Sequence, residues 1–373
     1  MRDQLLTQTK RLVVKIGSSL VASRDDGLRI AQIVSIANDL AQIHASNRQV
    51  VVVSSGAIVA GIHPLGLKAY PKSIPLKQAA AAVGQSRLIR AYEKSFEKTG
   101  DKVAQILLTH QDLADRKRFL NARHTLTSLL KYGVIPIINE NDTVSVDEIR
   151  FGDNDNLAGQ VAHLVDADLL VILSDVDGLY TADPRQNPSA TLIPLVEKFT
   201  KSIEQTAGLS RSQESRGGMV TKIQAAKHVA RFGVSTLLLN GEIQGLLPSV
   251  LQGSSGGTFF LPHISPLNSR KQWIAFTLRS KGLLQLDQGA VEALQQRGKS
   301  LLPSGILDVK GHFNAGDPIT CTDEKGQEFA KGLVNYSSHI LQQIKGQNTR
   351  DIQKLFGTRE YEEVVHRDNL VIL

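Results

Sequence analysis

Cysteine is almost missing from this chain of 373 residues. Its one copy, Cys321, excludes an internal disulfide and any cysteine-based zinc site. Aromatic residues make up only 5%, which argues against an extended base-stacking surface. No apolar run approaches membrane-spanning length, and the opening MRDQLLTQTKR lacks the apolar core of a signal peptide. A cytoplasmic enzyme with no membrane partner is therefore expected. The familiar phosphate-binding fingerprints are missing as well. Gly298-Lys299-Ser300 has Ala293 where a P-loop needs its first glycine, and no G-x-G-x-x-G occurs. His366-Arg367-Asp368 mimics a kinase catalytic loop, but Leu373 stands where its Asn belongs. Asp175-x-Asp177-Gly178 is too short a match for a calcium loop, so no metal-ligating residues are assigned.

What is present is an alternation of strand and helix patterns. Apolar runs at Arg11–Ile16, Gln49–Val53, Val103–Thr109, Val134–Ile138, Leu169–Leu173 and Val234–Leu239 read as strands, with Gly257–Leu261 the last. Helical patterns lie between them, from Ile30 to Ile43, Leu76 to Lys98, Phe119 to Tyr132, Leu157 to Val165 and Arg216 to Phe232. The expected fold class is α/β, an open and mainly parallel sheet sandwiched by helices. Residues 64–75 carry three prolines and read as a loop. A length of 373 residues suggests two domains. We place the larger at 1–262, a linker at 263–280, and a small β-rich domain at 281–373, with short strands between regularly spaced glycines and helices at Val291–Arg297 and Thr349–Phe356. The net charge of +7 suits an anionic ligand or nucleic acid. Acids and bases nearly balance from Lys281 onward, so the surplus belongs to the larger domain.

Three polar clusters follow strands: Asn139-Glu140-Asn141-Asp142, Ser174-Asp175-Val176-Asp177-Gly178, and the intervening Gly152-Asp153-Asn154-Asp155-Asn156. Ligands of open α/β sheets bind beyond the carboxyl ends of strands. Lys15 sits on the last turn of a strand, beside backbone amides that Gly17 would free. Gly217-Gly218 opens a helix whose dipole and amides offer a phosphate seat, with Lys222 one turn in. Two lysines and two amide nests could hold a triphosphate and neutralise a phosphoryl group in transit, with Asp155 orienting the lysines. Taken singly, each has a plainer reading. Lys15 could be a strand-end surface lysine, and Gly217-Gly218 or Ser55-Gly56 a simple turn. Asp175 and Asp177 could form turns, and Asn154 and Asp142 could cap helices. Their joint occurrence at successive strand ends favours a site.

The blocks LVVKIGSSL, VVVSSGAIVAG, PLKQAAAAVGQSRLIRAYE, IPIINENDTV, FGDNDNLAGQVA, ILSDVDGLYTADPR and GGMVTKIQAA resemble, in order and spacing, the glutamate 5-kinases of the amino acid kinase superfamily. The tail, GLLQLDQGAVEALQQRGKSLLPSGI through VVHRDNLVIL, resembles a PUA domain. The resemblance implies phosphorylation of the γ-carboxylate of L-glutamate by ATP with Mg²⁺, the first step of proline synthesis, with proline as inhibitor and a homo-oligomeric assembly. Carried over by position, Lys15, Lys222 and Asp155 would be catalytic, the lysines touching ATP phosphates and the acid holding them. Ser55, Asp142 and Asn154 would bind glutamate, Asp142 meeting its α-ammonium. Ser174, Asp175, Arg216, Gly217, Gly218, Met219, Val220, Thr221 and Lys222 would line the nucleotide site with Lys15. Arg216 stands where many relatives carry threonine. Related kinases act on acetylglutamate, aspartate or nucleoside monophosphates, and the N-E-N-D and G-D-N-D-N blocks point away from them. PUA modules commonly bind RNA, and the near-neutral tail argues against RNA as the main partner.

Overall fold

The computed structural model describes residues 1–23, 27–145, 154–209, 218–262, 280–347 and 363–373. The chain divides into two compact units, Met1–Pro266 and Leu267–Leu373. The expected linker, apart from Ser280, and the helix expected at Thr349–Phe356 lie outside the described residues.

The first unit opens with α1 (Arg2–Gln8), β1 (Arg11–Ile16), α2 (Ser18–Val21), β2 (Ala22–Ser23), β3 (Gly27–Leu28) and α3 (Ile30–Ala45). Next come β4 (Gln49–Ser54), α4 (Ala57–Ile62), α5 (Ile74–Glu97), β5 (Lys102–Leu108), α6 (His110–Ala114) and α7 (Arg116–Lys131). The middle of the unit is β6 (Val134–Glu140), α8 (Asn154–Leu164), β7 (Leu169–Ser174), β8 (Leu195–Val196) and α9 (Lys201–Leu209). It closes with α10 (Met219–Ala230), β9 (Ser235–Asn240), α11 (Leu246–Leu251) and β10 (Thr258–Phe260). Eight strands form one sheet in the order β5-β6-β4-β1-β7-β9-β10-β8. It is parallel from β5 to β9. β10 then runs antiparallel to β9, and β8 lies parallel to β10.

The interior strands are buried on both faces, which explains their continuous apolar text. Alternate residues point to opposite faces. Leu12, Val14 and Ile16 of β1 join Val50, Val52, Leu169, Val171 and Leu173 in one core with α3 and α5. Val13 joins Val51, Val53, Leu170 and Ile172 in a second core with α7, α8 and α10. Lys15 is in phase with Val13, so it rises on the face covered by α8 and α10. This phase places the functional residues.

α4 and α5 touch backbone to backbone. A Cβ on Gly61 would sit 1.8 Å from the Ala80 carbonyl oxygen, and one on Gly84 1.8 Å from that of Ala57. Glycine at both positions therefore sets how closely α5 approaches the turn that follows β4.

The second unit holds β11 (Gly282–Leu286), α12 (Gln288–Gln295), β12 (Ile306–Gly311), β13 (Pro318–Thr322), β14 (Glu328–Leu333), α13 (Ser338–Ile344) and β15 (Leu370–Ile372). Its five described strands are ordered β12-β11-β13-β14-β15 around a core of its own. Cys321 is buried there, and loss of hydration pushes its thiol up to about 12.

Candidate active site

The site is built at the carboxyl ends of β1, β4, β6 and β7. Three of these strands run one or two residues further than their apolar patterns suggest, β4 ending at Ser54. Asn139 and Glu140 are still in β6, paired with Leu107 and Leu108 of β5, and Ser174 ends β7. α8 starts at Asn154, so Asn154 and Asp155 occupy its first turn, where a helix favours negative charge.

Asp155 is fully buried between two lysines that are themselves only 6% (Lys15) and 7% (Lys222) exposed. Lys15 Nζ lies 2.6 Å from Asp155 Oδ1, and Lys222 Nζ, one turn into α10, lies 3.6 Å from Oδ2. The Thr221 hydroxyl donates to Oδ2 at 2.7 Å. Burial alone would raise the Asp155 carboxyl. The charges of Lys15 and Lys222, with hydrogen bonds from Lys15 and Thr221, outweigh that effect and hold it at about 2. Asp155 is thus an anion at any physiological pH. The three side chains carry one net positive charge in a buried place, an arrangement that attracts an anion. The plain surface-lysine reading of Lys15 does not hold.

Asn154, the neighbour of Asp155, serves a second cluster. Its Nδ2 lies 2.7 Å from the Ser54 carbonyl oxygen, 2.9 Å from Ser55 Oγ and 3.0 Å from Asn139 Oδ1. Its side chain is thus spent across the strand ends and not on capping. The Ser54 hydroxyl reaches the Ser55 carbonyl at 3.2 Å and lies 2.9 Å from the Tyr92 hydroxyl. Tyr92 is fully buried, which raises its phenol well above the usual value and keeps it neutral. Gly56 turns from β4 into α4 with a left-handed φ of 96°. A Cβ there would meet Val21 Cγ2 at 2.7 Å, so the position requires glycine.

Beside this cluster lies a cavity of about 300 Å³ between α5, β5 and the turn after β6. Asp142, Glu140, Asn141, Gln85 and Gln105 supply polar walls, and Ile89 and Leu107 apolar ones. It suits a small molecule with a cationic end and an aliphatic body.

The nucleotide candidates are placed less compactly. Ser174 is buried, and its hydroxyl donates to Asp175 at 3.0 Å. Asp177 ties strand ends together, accepting from Asn240 and from the Tyr180 hydroxyl at 2.9 Å each. Gly218 is the N-cap of α10, with open space where a Cβ would be. Met219 packs against the second core, Val220 is 37% exposed, and Thr221 turns inward to Asp155. Arg216 and Gly217 lie outside the described residues, as do Gly152 and Asp153. Of the amides beside Lys15, that of Gly17 donates to the Leu173 carbonyl at 3.0 Å. Any amide nest there falls to Ser18 and Ser19, in the first turn of α2, where helical amides lack intrahelical acceptors.

Sequence reasoning missed Gln85 and Tyr92, and gave Asn139 no role beyond membership of a polar cluster. Asn139 was visible as an amide at a strand end. Gln85 and Tyr92 sit in an ordinary helical pattern, and nothing in that pattern separates them from solvent-facing or core residues.

Comparison with known proteins accords with this geometry. The amino acid kinase family model matches residues 10–240, and the PUA domain model matches residues 282–356. The glutamate 5-kinase of Geobacter sulfurreducens is 52% identical over 100% of both chains. That of Caldanaerobacter subterraneus subsp. tengcongensis is 48% identical over 97% of this chain and 98% of its own. The chain belongs to the amino acid kinase family, and within it to the glutamate 5-kinases.

Proposed function

We propose that the chain transfers the γ-phosphoryl group of ATP to the γ-carboxylate of L-glutamate, giving γ-glutamyl phosphate and ADP, the first step of proline biosynthesis. The observation that carries this reading is the adjacency of Asn154 and Asp155 in one helical turn. Asn154 bonds Ser55 and Asn139, whose partner Gln85 lines the amide- and acid-walled cavity, and Asp155 faces the buried lysine pair. An acceptor and a phosphoryl donor held by consecutive residues would meet between them.

The substrate carboxylate is ionised at pH 7, so the reaction needs no general base. The obstacle is repulsion between two anions. Lys15 and Lys222 would neutralise the charge that spreads over the phosphoryl oxygens, and Asp155 and Thr221 would hold the lysines in place without reorganisation. Ser55 and Asn154 would position glutamate for in-line attack, with Asp142 facing its α-ammonium. Ser174, Asp175 and residues 216–222 would line the nucleotide. Mg²⁺ would enter as part of MgATP, held mainly by phosphate oxygens. Inhibition by proline, homo-oligomeric assembly and a cytoplasmic location belong to the same proposal. They rest on the motif resemblance, and no helix among the described residues is long and apolar enough to cross a membrane.

The test is ADP release with MgATP and a panel of acceptors, with and without proline. Turnover with glutamate, suppressed by proline, is expected. Preference for acetylglutamate or aspartate would overturn the substrate assignment.

A further inference from the structure

We propose that Gln85 is a positioning residue that holds an amide relay, Gln85–Asn139–Asn154, in the polarity its backbone partners set, and that the relay so held obliges the Ser55 hydroxyl to donate towards the bound substrate. Two backbone groups fix the directions. Asn139 Oδ1 accepts from the Glu140 N–H at 2.9 Å, and an N–H can only donate. Asn139 Nδ2 must therefore face Gln85, whose Oε1 accepts from it at 2.7 Å. At the other end, Asn154 Nδ2 lies 2.7 Å from the Ser54 carbonyl oxygen, which can only accept.

The two hydrogens of Asn154 Nδ2 then serve three oxygens, those of Ser54, Ser55 and Asn139. Ser55 Oγ meets a group that cannot take its proton. Its own hydrogen is left for an acceptor outside the relay, and a substrate carboxylate is such an acceptor. Gln85 is the element of the relay that no backbone group fixes. It comes from α5 and lines the cavity beside Asp142. Asn139 is only 2% exposed, so without Gln85 its Nδ2 hydrogen would be buried without this acceptor. Rotation of Asn139 to satisfy that hydrogen would turn the wrong atom towards Asn154.

This inference rests on the glutamate reading for its substrate, though not for the relay itself. The experiment is a double-mutant cycle of Gln85→Met and Asn139→Leu, each close in shape and lacking the polar atoms. Gln85→Met is expected to raise the glutamate KM about ten-fold with the ATP KM within about two-fold. Adding Gln85→Met to Asn139→Leu is expected to change neither the glutamate KM nor the thermal midpoint further. Additive effects, or a Gln85→Met glutamate KM within about two-fold of the parent, would overturn the proposal. Asn139→Ala replaces Asn139→Leu in the cycle if the latter does not fold. The thermal cycle is read without substrate. If the parent fails to turn over glutamate, the substrate reading falls, and the thermal coupling still decides the relay.

Discussion

Lys15 could not stay buried on an interior strand without a counter-charge, and Asp155 supplies it at 2.6 Å. The same carboxylate also faces Lys222, so removing it takes a shared counter-charge from two buried lysines. Asp155→Asn is expected to destabilise the chain by about 3–5 kcal/mol in chemical unfolding and to abolish turnover. The sign of its pH effect follows from the depressed carboxyl. The group titrates at about 2 in the folded chain and at ~3.9 when unfolded, so it contributes stability above ~3.9 that is lost as pH falls through about 2. Acid unfolding followed by circular dichroism should therefore be less steep over that window in Asp155→Asn than in the parent. Lys222 tests catalysis more directly. Its contact with the phosphoryl group strengthens as charge moves, so Lys222→Ala should lower kcat by about 10²-fold or more and leave the glutamate KM nearly unchanged. An unchanged kcat would remove Lys222 from the mechanism.

At the scale of elements, the site depends on how closely α4 and α5 pack. α4 begins directly after Ser55-Gly56, and α5 carries Gln85 and Tyr92, so both clusters of the acceptor side hang on this helix pair. Gly84→Ala would drive a methyl group into the Ala57 carbonyl oxygen, 1.8 Å away, and the helices must part. A loss of about 1–3 kcal/mol is expected in thermal unfolding, with a raised glutamate KM because the Ser55 turn moves with α4. A neutral Gly84→Ala would show that the contact is dispensable.

Much of the site was legible because strand periodicity and strand ends are local properties. The alternation that put Val13 in one core and Ile16 in the other also put Lys15 on the α8 face. The clusters at 139–142, 154–155 and 174–177 announced themselves as polar text after apolar runs. What the text did not carry was pairing between distant positions. Nothing in a helical pattern around residue 85 says that its amide meets residue 139, or that residues 61 and 84 are glycine for the sake of a helix contact. The partner of the Gly17 amide is another such pairing, since it donates to Leu173 of β7, more than 150 residues away.

At the scale of the whole molecule, every described site residue lies in the first unit, which has its own cores on both faces of its sheet. A chain ending at Leu261 is expected to keep glutamate-dependent turnover, measured by ADP release. A folded truncation without turnover would show that the second unit, matched by the PUA domain model, completes the site or the assembly.

The identity of the attacking atom decides the reaction itself. Glutamate labelled with ¹⁸O in its γ-carboxylate, turned over with MgATP in the presence of hydroxylamine, would release phosphate from the trapped acyl phosphate. One labelled oxygen in that phosphate is expected, because the oxygen bridging carbon and phosphorus comes from the substrate carboxylate. Unlabelled phosphate would mean that water took the phosphoryl group, and it would contradict transfer to glutamate at the Lys15–Asp155–Lys222 site.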